Sequence, residues 1–160
     1  MEIYTFSGTG NSLAVARELA GRVGGRLVSI PVVMDRDRVT SDAEALGLVF
    51  PVYHKSIPLI LKRFVEKLEG LGGRYVFAVF TYGDTPGLAA DHLSTLIEAR
   101  GGELAAGFGV HMPYSYLTPA PVLRGLFRSF SLREVPLEKQ RTLIAPAPQR
   151  IAPLPASVKA

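Results

Sequence analysis

Six consecutive residues near the N-terminus, Ser7-Gly8-Thr9-Gly10-Asn11-Ser12, are small and polar, with two glycines among them. Ser7, Thr9 and Ser12 carry hydroxyls and Asn11 carries an amide, so each can donate a hydrogen bond. Gly8 and Gly10 allow the chain to wrap closely and to take dihedrals closed to other residues. The chemistry that suits such a set is the holding of an anion. Two absences narrow the choice. There is no GxxxxGK[ST] pattern, so no lysine is placed to reach a β- or γ-phosphate. A GxGxxG loop would need a third glycine where Leu13 stands, which disfavours a pyrophosphate. What remains is a neutral, hydroxyl-lined cup for one terminal phosphate. The competing explanation is a plain strand–helix turn, since Ser, Thr and Asn favour helix starts in any case.

Two further segments have residue types that could complete a site. Pro51-Val52-Tyr53-His54-Lys55 and Thr81-Tyr82-Gly83-Asp84 each place a tyrosine among turn-forming residues. Tyrosine rings suit stacking on a flat ligand, although partly buried loop tyrosines are common. His54 and Lys55 would bring positive charge, or are two solvated loop residues. Asp84 is either an edge contact or a turn former. His92 and His111 are apart from each other and from any cluster of carboxylates, so no metal site is expected. No Ser-His-Asp set or GxSxG pattern is present, and no catalytic side chain is assigned.

The elements that must position these segments can be read from periodicity. Glu2–Phe6 is a β-rich run that stops at the first loop. From Asn11 the period changes: Ala16, Leu19, Ala20 and Val23 lie on one helical face, and Gly24-Gly25 ends it. Arg26–Ile30 reads as a second strand closed by Pro31, and residues 35–42 as polar and irregular. Ala45–Phe50 and Tyr75–Phe80 are continuous apolar runs, as expected of strands buried on both faces. Helical spacing returns at Leu61, Phe64, Val65 and Leu68, and again over Ala89–Ala99. Glu103–Val110 is a candidate fifth strand. Strands alternating with helices imply a parallel sheet, whose ligand crevice lies beyond the carboxyl ends of its strands. Ser7–Ser12, Pro51–Pro58 and Thr81–Gly87 all fall at that edge.

Composition sets the outer bounds. The chain has 160 residues, 48% hydrophobic and 20% charged, in keeping with one globular domain. It lacks cysteine, which excludes disulfides, thiolate catalysis and cysteine-ligated clusters within it. No apolar run is long enough for a membrane helix, and Met1-Glu2-Ile3-Tyr4 does not resemble a signal peptide, so a cytoplasmic protein with no membrane partner is expected. The net charge of +4 is unevenly spread. Residues 1–111 hold 11 basic and 12 acidic side chains, whereas residues 112–160 hold 7 and 2. A stretch with Tyr114, Tyr116, Phe127 and Phe130 among Arg124, Arg128 and Arg133 has the composition of a single-strand binder, but more commonly belongs to a docked amphipathic helix. Nucleic acid is therefore not an expected partner. Short helices are expected at Val122–Phe130 and Leu137–Leu143. Four prolines after residue 145 preclude one long terminal helix, giving a domain over 1–145 and a proline-rich tail over 146–160.

These residues also carry a family resemblance. Phe6-Ser7-Gly8-Thr9-Gly10-Asn11-Ser12, directly after the first strand, resembles the phosphate loop of flavodoxins, [ST]-x-T-G-N-[ST]. Val49–Tyr53 with Ile57-Pro58 resembles the second flavin loop of that family, and Thr81-Tyr82-Gly83 with Pro86-Gly87 the third. Gly107–Val110 with Met112-Pro113 resembles the flavodoxin-like half of bacterial proteins in which that half precedes a ferredoxin-type domain. No such half is present here, so the chain would be a stand-alone relative or a fragment. The resemblance implies a flavodoxin-like three-layer α/β sandwich, with a five-stranded parallel sheet in the order 2-1-3-4-5. It implies FMN as cofactor, with Ser7, Gly8, Thr9, Gly10, Asn11 and Ser12 around the phosphate. Pro51, Val52, Tyr53 and His54 would border the ring, and Thr81, Tyr82, Gly83 and Asp84 would close its other side. It implies electron transfer with redox partner proteins, a reductase or ferredoxin-type protein. An FMN-dependent NAD(P)H or quinone oxidoreductase is the alternative, and a flavin-free interaction module is the alternative of another class. Typical members are acidic, whereas residues 1–111 are close to neutral.

Overall fold

The computed structural model describes residues 1–112. The two short helices expected near residues 122–143 and the tail boundary at 145 lie outside the described residues.

Five strands form one parallel sheet: β1 (Glu2–Thr5), β2 (Arg26–Ser29), β3 (Ala45–Pro51), β4 (Tyr75–Tyr82) and β5 (Leu104–His111). Their spatial order is β2-β1-β3-β4-β5, as expected, and every neighbouring pair is parallel. Helix α1 (Asn11–Val23) lies on one face, while α2 (Ile30–Val33), α3 (Leu59–Lys67) and α4 (Ala89–Glu98) cover the other.

The apolar runs are continuous because the central strands are covered twice. In β3, Leu46, Leu48 and Phe50 pack beneath α3 and α4, while Val49 packs beneath α1. In β4, Val76, Ala78 and Phe80 take the first side and Phe77 and Val79 the second. Gly47 makes room for its neighbour, since a methyl group there would come within 2.6 Å of the Phe77 ring. Helix α1 contributes Val15, Ala16 and Leu19 to its side, and its left-handed C-cap at Gly24 returns an N–H to the Ala20 carbonyl.

The crossover between β2 and β3 differs from expectation in one respect. Strand β2 ends at Ser29, and Ile30–Val33 form a single helical turn with Pro31 in its first turn, where a missing N–H breaks no intrahelical bond. Polar residues 35–42 do not continue that turn. Ile30, Val33 and Val39 are buried all the same, so this short segment adds to the core on the α3 and α4 side of the sheet, against β2 and α3. Val39 exchanges backbone bonds with the end of α3, donating to the Lys67 carbonyl at 2.8 Å and accepting from Glu69 N–H at 3.0 Å. Strand β4 also runs further than the apolar pattern suggests, and takes in Thr81 and Tyr82.

Candidate functional site

The carboxyl ends of β1, β3 and β4 open onto one cleft of about 650 Å³. Its lining includes thirteen of the fourteen residues singled out from sequence, the exception being Gly10. Ser7, Gly8, Thr9, Asn11 and Ser12 form one wall; Pro51, Val52, Tyr53 and His54 form the second; Thr81, Tyr82, Gly83 and Asp84 form the third. Lys55, Thr85 and Met112 complete it. Lys55 and Thr85 lie within the loops marked from sequence, whereas Met112 entered there only as part of a resemblance and not as a site residue. It arrives by register, because its N–H donates to the Tyr82 carbonyl at 2.8 Å and extends the β4–β5 pairing.

The first wall is the start of α1. Gly10 is the N-cap, with φ of 98°, a conformation that a side chain would strain. The Gly10 N–H donates to Ser7 Oγ at 3.0 Å, which curls the loop upon itself. With glycine at the cap, no cap side chain bonds the first-turn amides. A helix start of this kind carries partial positive charge and N–H donors without intrahelical partners. Ser12 takes a different part from that of a simple exposed donor. Its side chain is buried, and its Oγ lies 2.8 Å from Thr81 Oγ1, tying the first wall to the third.

The second wall is a tight turn. Tyr53 N–H donates to the Ser56 carbonyl at 3.0 Å and Ser56 N–H to the Tyr53 carbonyl at 2.9 Å. The two central residues, His54 and Lys55, have φ of 51° and 61°. Paired left-handed residues are what a two-residue turn of type I′ requires, yet neither is the Asn or Gly usually found there. The turn is held from the third wall. Leu88 N–H donates to the Lys55 carbonyl at 2.9 Å, and Ser56 Oγ lies 2.7 Å from His92 Nδ1. Gly87 fits against Lys55 so closely that a Cβ there would stand 2.7 Å from Lys55 Cα.

Tyr53 reaches over the first wall. Its ring meets Phe6 edge-on, with centroids 6.4 Å apart, and its hydroxyl occupies the space that a side chain at residue 8 would need. A side chain at residue 8 would therefore displace the tip of the Tyr53 ring. On the third wall, His111 Nε2 lies 3.0 Å from the Gly83 carbonyl. A carbonyl only accepts, so that nitrogen carries the proton. The imidazole also packs on Tyr82, with centroids 5.5 Å apart. His111, set aside in the sequence as an isolated histidine, therefore anchors the third loop. Among the described residues, no group of three or more His, Cys, Asp or Glu could hold a metal ion, and no helix is long and apolar enough to cross a membrane.

No protein-family model matches the chain, and no curated protein sequence matches it. Solved structures do. The two-electron reduced flavodoxin of Megasphaera elsdenii shares 21% identity over 68% of this chain and 83% of its own, with a TM-score of 0.53. A putative flavoprotein from Bacteroides eggerthii shares 18% over 82% and 98%, with a TM-score of 0.56. A flavoprotein in complex with FMN from Lactobacillus acidophilus shares 13% over 68% and 91%, with a TM-score of 0.53. At this level of identity the likeness is one of fold, and the fold is flavodoxin-like.

Proposed function

We propose that this flavodoxin-like domain binds FMN in the cleft at the carboxyl edge of its sheet and acts as an electron carrier. The observation that carries the reading is the meeting, in one cleft, of a neutral hydroxyl-lined helix start with two tyrosine-bearing loops. The cleft volume lies within the range of small-molecule sites, about 300–1,000 Å³. The donor set fits a monophosphate: hydroxyls and amides at a helix start, with no carboxylate in the first wall to repel it.

Bound FMN supplies the redox chemistry itself, through its isoalloxazine ring. The chain's own residues bind and orient. Thr9, Asn11 and the start of α1 hold the phosphate, with Ser7 shaping the loop and Ser12 pinning it to β4. Tyr53 and Tyr82 offer ring faces, and Val52 and Met112 supply apolar wall. The third loop, anchored by His111, would border the ligand on its remaining side. No side chain is required as nucleophile or general base, which favours a carrier over an enzyme with its own acid–base machinery.

The purified protein should be yellow and release FMN on acid treatment. Thr9→Ala with Asn11→Ala should weaken FMN roughly a hundredfold, as expected for two charge-assisted hydrogen bonds, and leave riboflavin binding nearly unchanged. Calorimetry with both ligands decides. Equal loss for the two would place the phosphate elsewhere, and no FMN binding by the parent protein would overturn the reading. Rapid turnover with NAD(P)H and a quinone would convert the carrier into an oxidoreductase.

A further inference from the structure

Tyr53 opens the turn at His54-Lys55, and its backbone N–H and carbonyl both bond to Ser56. That turn is clasped from the third wall by the Leu88 N–H and by His92. The backbone of Tyr53 is therefore set by two loops before any ligand arrives, which lowers the ordering cost of using its side chain.

The side chain leaves its own wall. Its ring meets Phe6 edge-on, and its hydroxyl comes to rest against Gly8 in the first loop. A Cβ built on Gly8 would collide with Tyr53 Oη and stand 3.7 Å from Cζ. Beyond the chain neighbours of Gly8, these are the only atoms of the described residues within 4 Å of that point. Phe6 presents an apolar edge and Gly8 has no side chain, so neither gives the phenol a side-chain partner.

The donors assigned to the phosphate all come from one side. Thr9, Asn11 and the first-turn amides belong to the first loop and α1. Ser12, the last hydroxyl of that loop, is buried with its Oγ 2.8 Å from Thr81 Oγ1. A phosphate also has oxygens that face away from the helix start, and the Tyr53 hydroxyl is a donor brought to the loop from the opposite wall.

We propose that the Tyr53 hydroxyl donates to the phosphate of the ligand, closing the anion cup from the second wall, and that Tyr53 thereby sets part of the preference for FMN over riboflavin. The assignment rests on the functional reading above and divides one side chain into two roles. The ring supplies surface to either flavin, whereas the hydroxyl meets a group that riboflavin lacks. A hydrogen bond to an anionic oxygen is roughly twice as strong as one between neutral groups, so this single donor carries discrimination.

The test titrates FMN and riboflavin, by quenching of flavin fluorescence, into the full chain and into Tyr53→Phe, Gly8→Ala and the double variant. Tyr53→Phe keeps the ring and removes the donor. It should cut the preference for FMN over riboflavin roughly tenfold, and the phosphorus NMR resonance of bound FMN should move from its position in the parent protein. Gly8→Ala should push the hydroxyl aside and cut the preference in the parent background. In Tyr53→Phe it should do so much less, because the ring carbon then meets the added methyl at an ordinary 3.7 Å. A preference or a phosphorus resonance unchanged in Tyr53→Phe overturns the contact and leaves the flavin reading standing, as do equal Gly8→Ala factors in the two backgrounds. Failure of the parent chain to bind FMN overturns the flavin reading, and the contact with it.

Discussion

Ser12 and Thr81 stand 69 positions apart in the chain, and their hydroxyls meet at 2.8 Å in a buried position. Removing one leaves the other without that partner and away from water, a situation that costs about 1–2 kcal/mol. Ser12→Ala and Thr81→Val should each destabilise by that amount, and the double variant by less than the sum. Urea unfolding of all four proteins measures the coupling, expected to be at least ~0.5 kcal/mol; strict additivity would show that the bond adds nothing. Lys55 presents the opposite case, a residue held against its own preference. A lysine at φ of 61° carries steric strain of about 1 kcal/mol that glycine does not feel. Lys55→Gly should therefore raise the unfolding midpoint of the ligand-free protein, and a lower midpoint would mean that the side chain makes compensating contacts.

At the scale of elements, the second and third loops behave as one unit. The strained turn persists because Gly87 lets the third loop lie directly on it, and the Leu88 N–H then bonds the Lys55 carbonyl. A Cβ at residue 87 would stand 2.5 Å from that same carbonyl oxygen, and the φ of 55° would be strained for any side chain. Neither backbone can yield without breaking the bond between them. Gly87→Ala should therefore cost about 2 kcal/mol or more and weaken FMN, although residue 87 is not in the cleft lining. Thermal unfolding and FMN titration check both parts; full affinity in a destabilised variant would separate the loop contact from the site. The sequence marked both segments as glycine- and proline-rich loops, but contained no sign that they touch, because their contact depends on where α3 and α4 set down.

At the scale of the molecule, the end of the sheet opposite the cleft is closed by a polar cluster. Tyr4 Oη donates to Glu2 Oε2 at 2.7 Å, and Arg26 on the edge strand pairs with the other carboxylate oxygen. Burial pushes the Glu2 carboxyl up, but hydrogen bonds from Tyr4, Arg26 and Ser41, with the Arg26 charge, bring it below the usual value of 4.5. Burial, reinforced by Glu2, raises the Tyr4 phenol from 10 to about 12. The Glu2 contribution is present above pH 4.5 and is lost as pH falls through the lowered folded-state value. The Tyr4 contribution is complete below pH 10 and is lost as pH rises from 10 through 12. Stability should therefore decline on both sides of a plateau. Tyr4→Phe should remove one late step from the tyrosinate absorbance titration, and an unchanged titration would locate that step in another tyrosine.

Among the described residues, local signals were enough to place nearly all of the sheet and three of the four helices. Apolar runs over Ala45–Phe50 and Tyr75–Phe80 and helical spacing after Asn11, Pro58 and Leu88 each report a preference that neighbours within a few residues enforce. The phosphate loop was legible for the same reason, since its chemistry lies in six consecutive residues. The one-turn helix at Ile30–Val33 was not, because a single turn has too few residues to show a period. Met112 and His111 joined the site only through the register of β5 on β4, a pairing that acts across nearly thirty positions and leaves no mark on local pattern. Likewise, Ser12 could be read as a donor to a ligand, but only the folded sheet commits its hydroxyl to Thr81. The sequence by itself determined which residue types stand at the carboxyl edge. The tertiary structure decided which of them touch, because separations of 30 to 70 positions close to hydrogen-bond distance only when the whole sheet has formed.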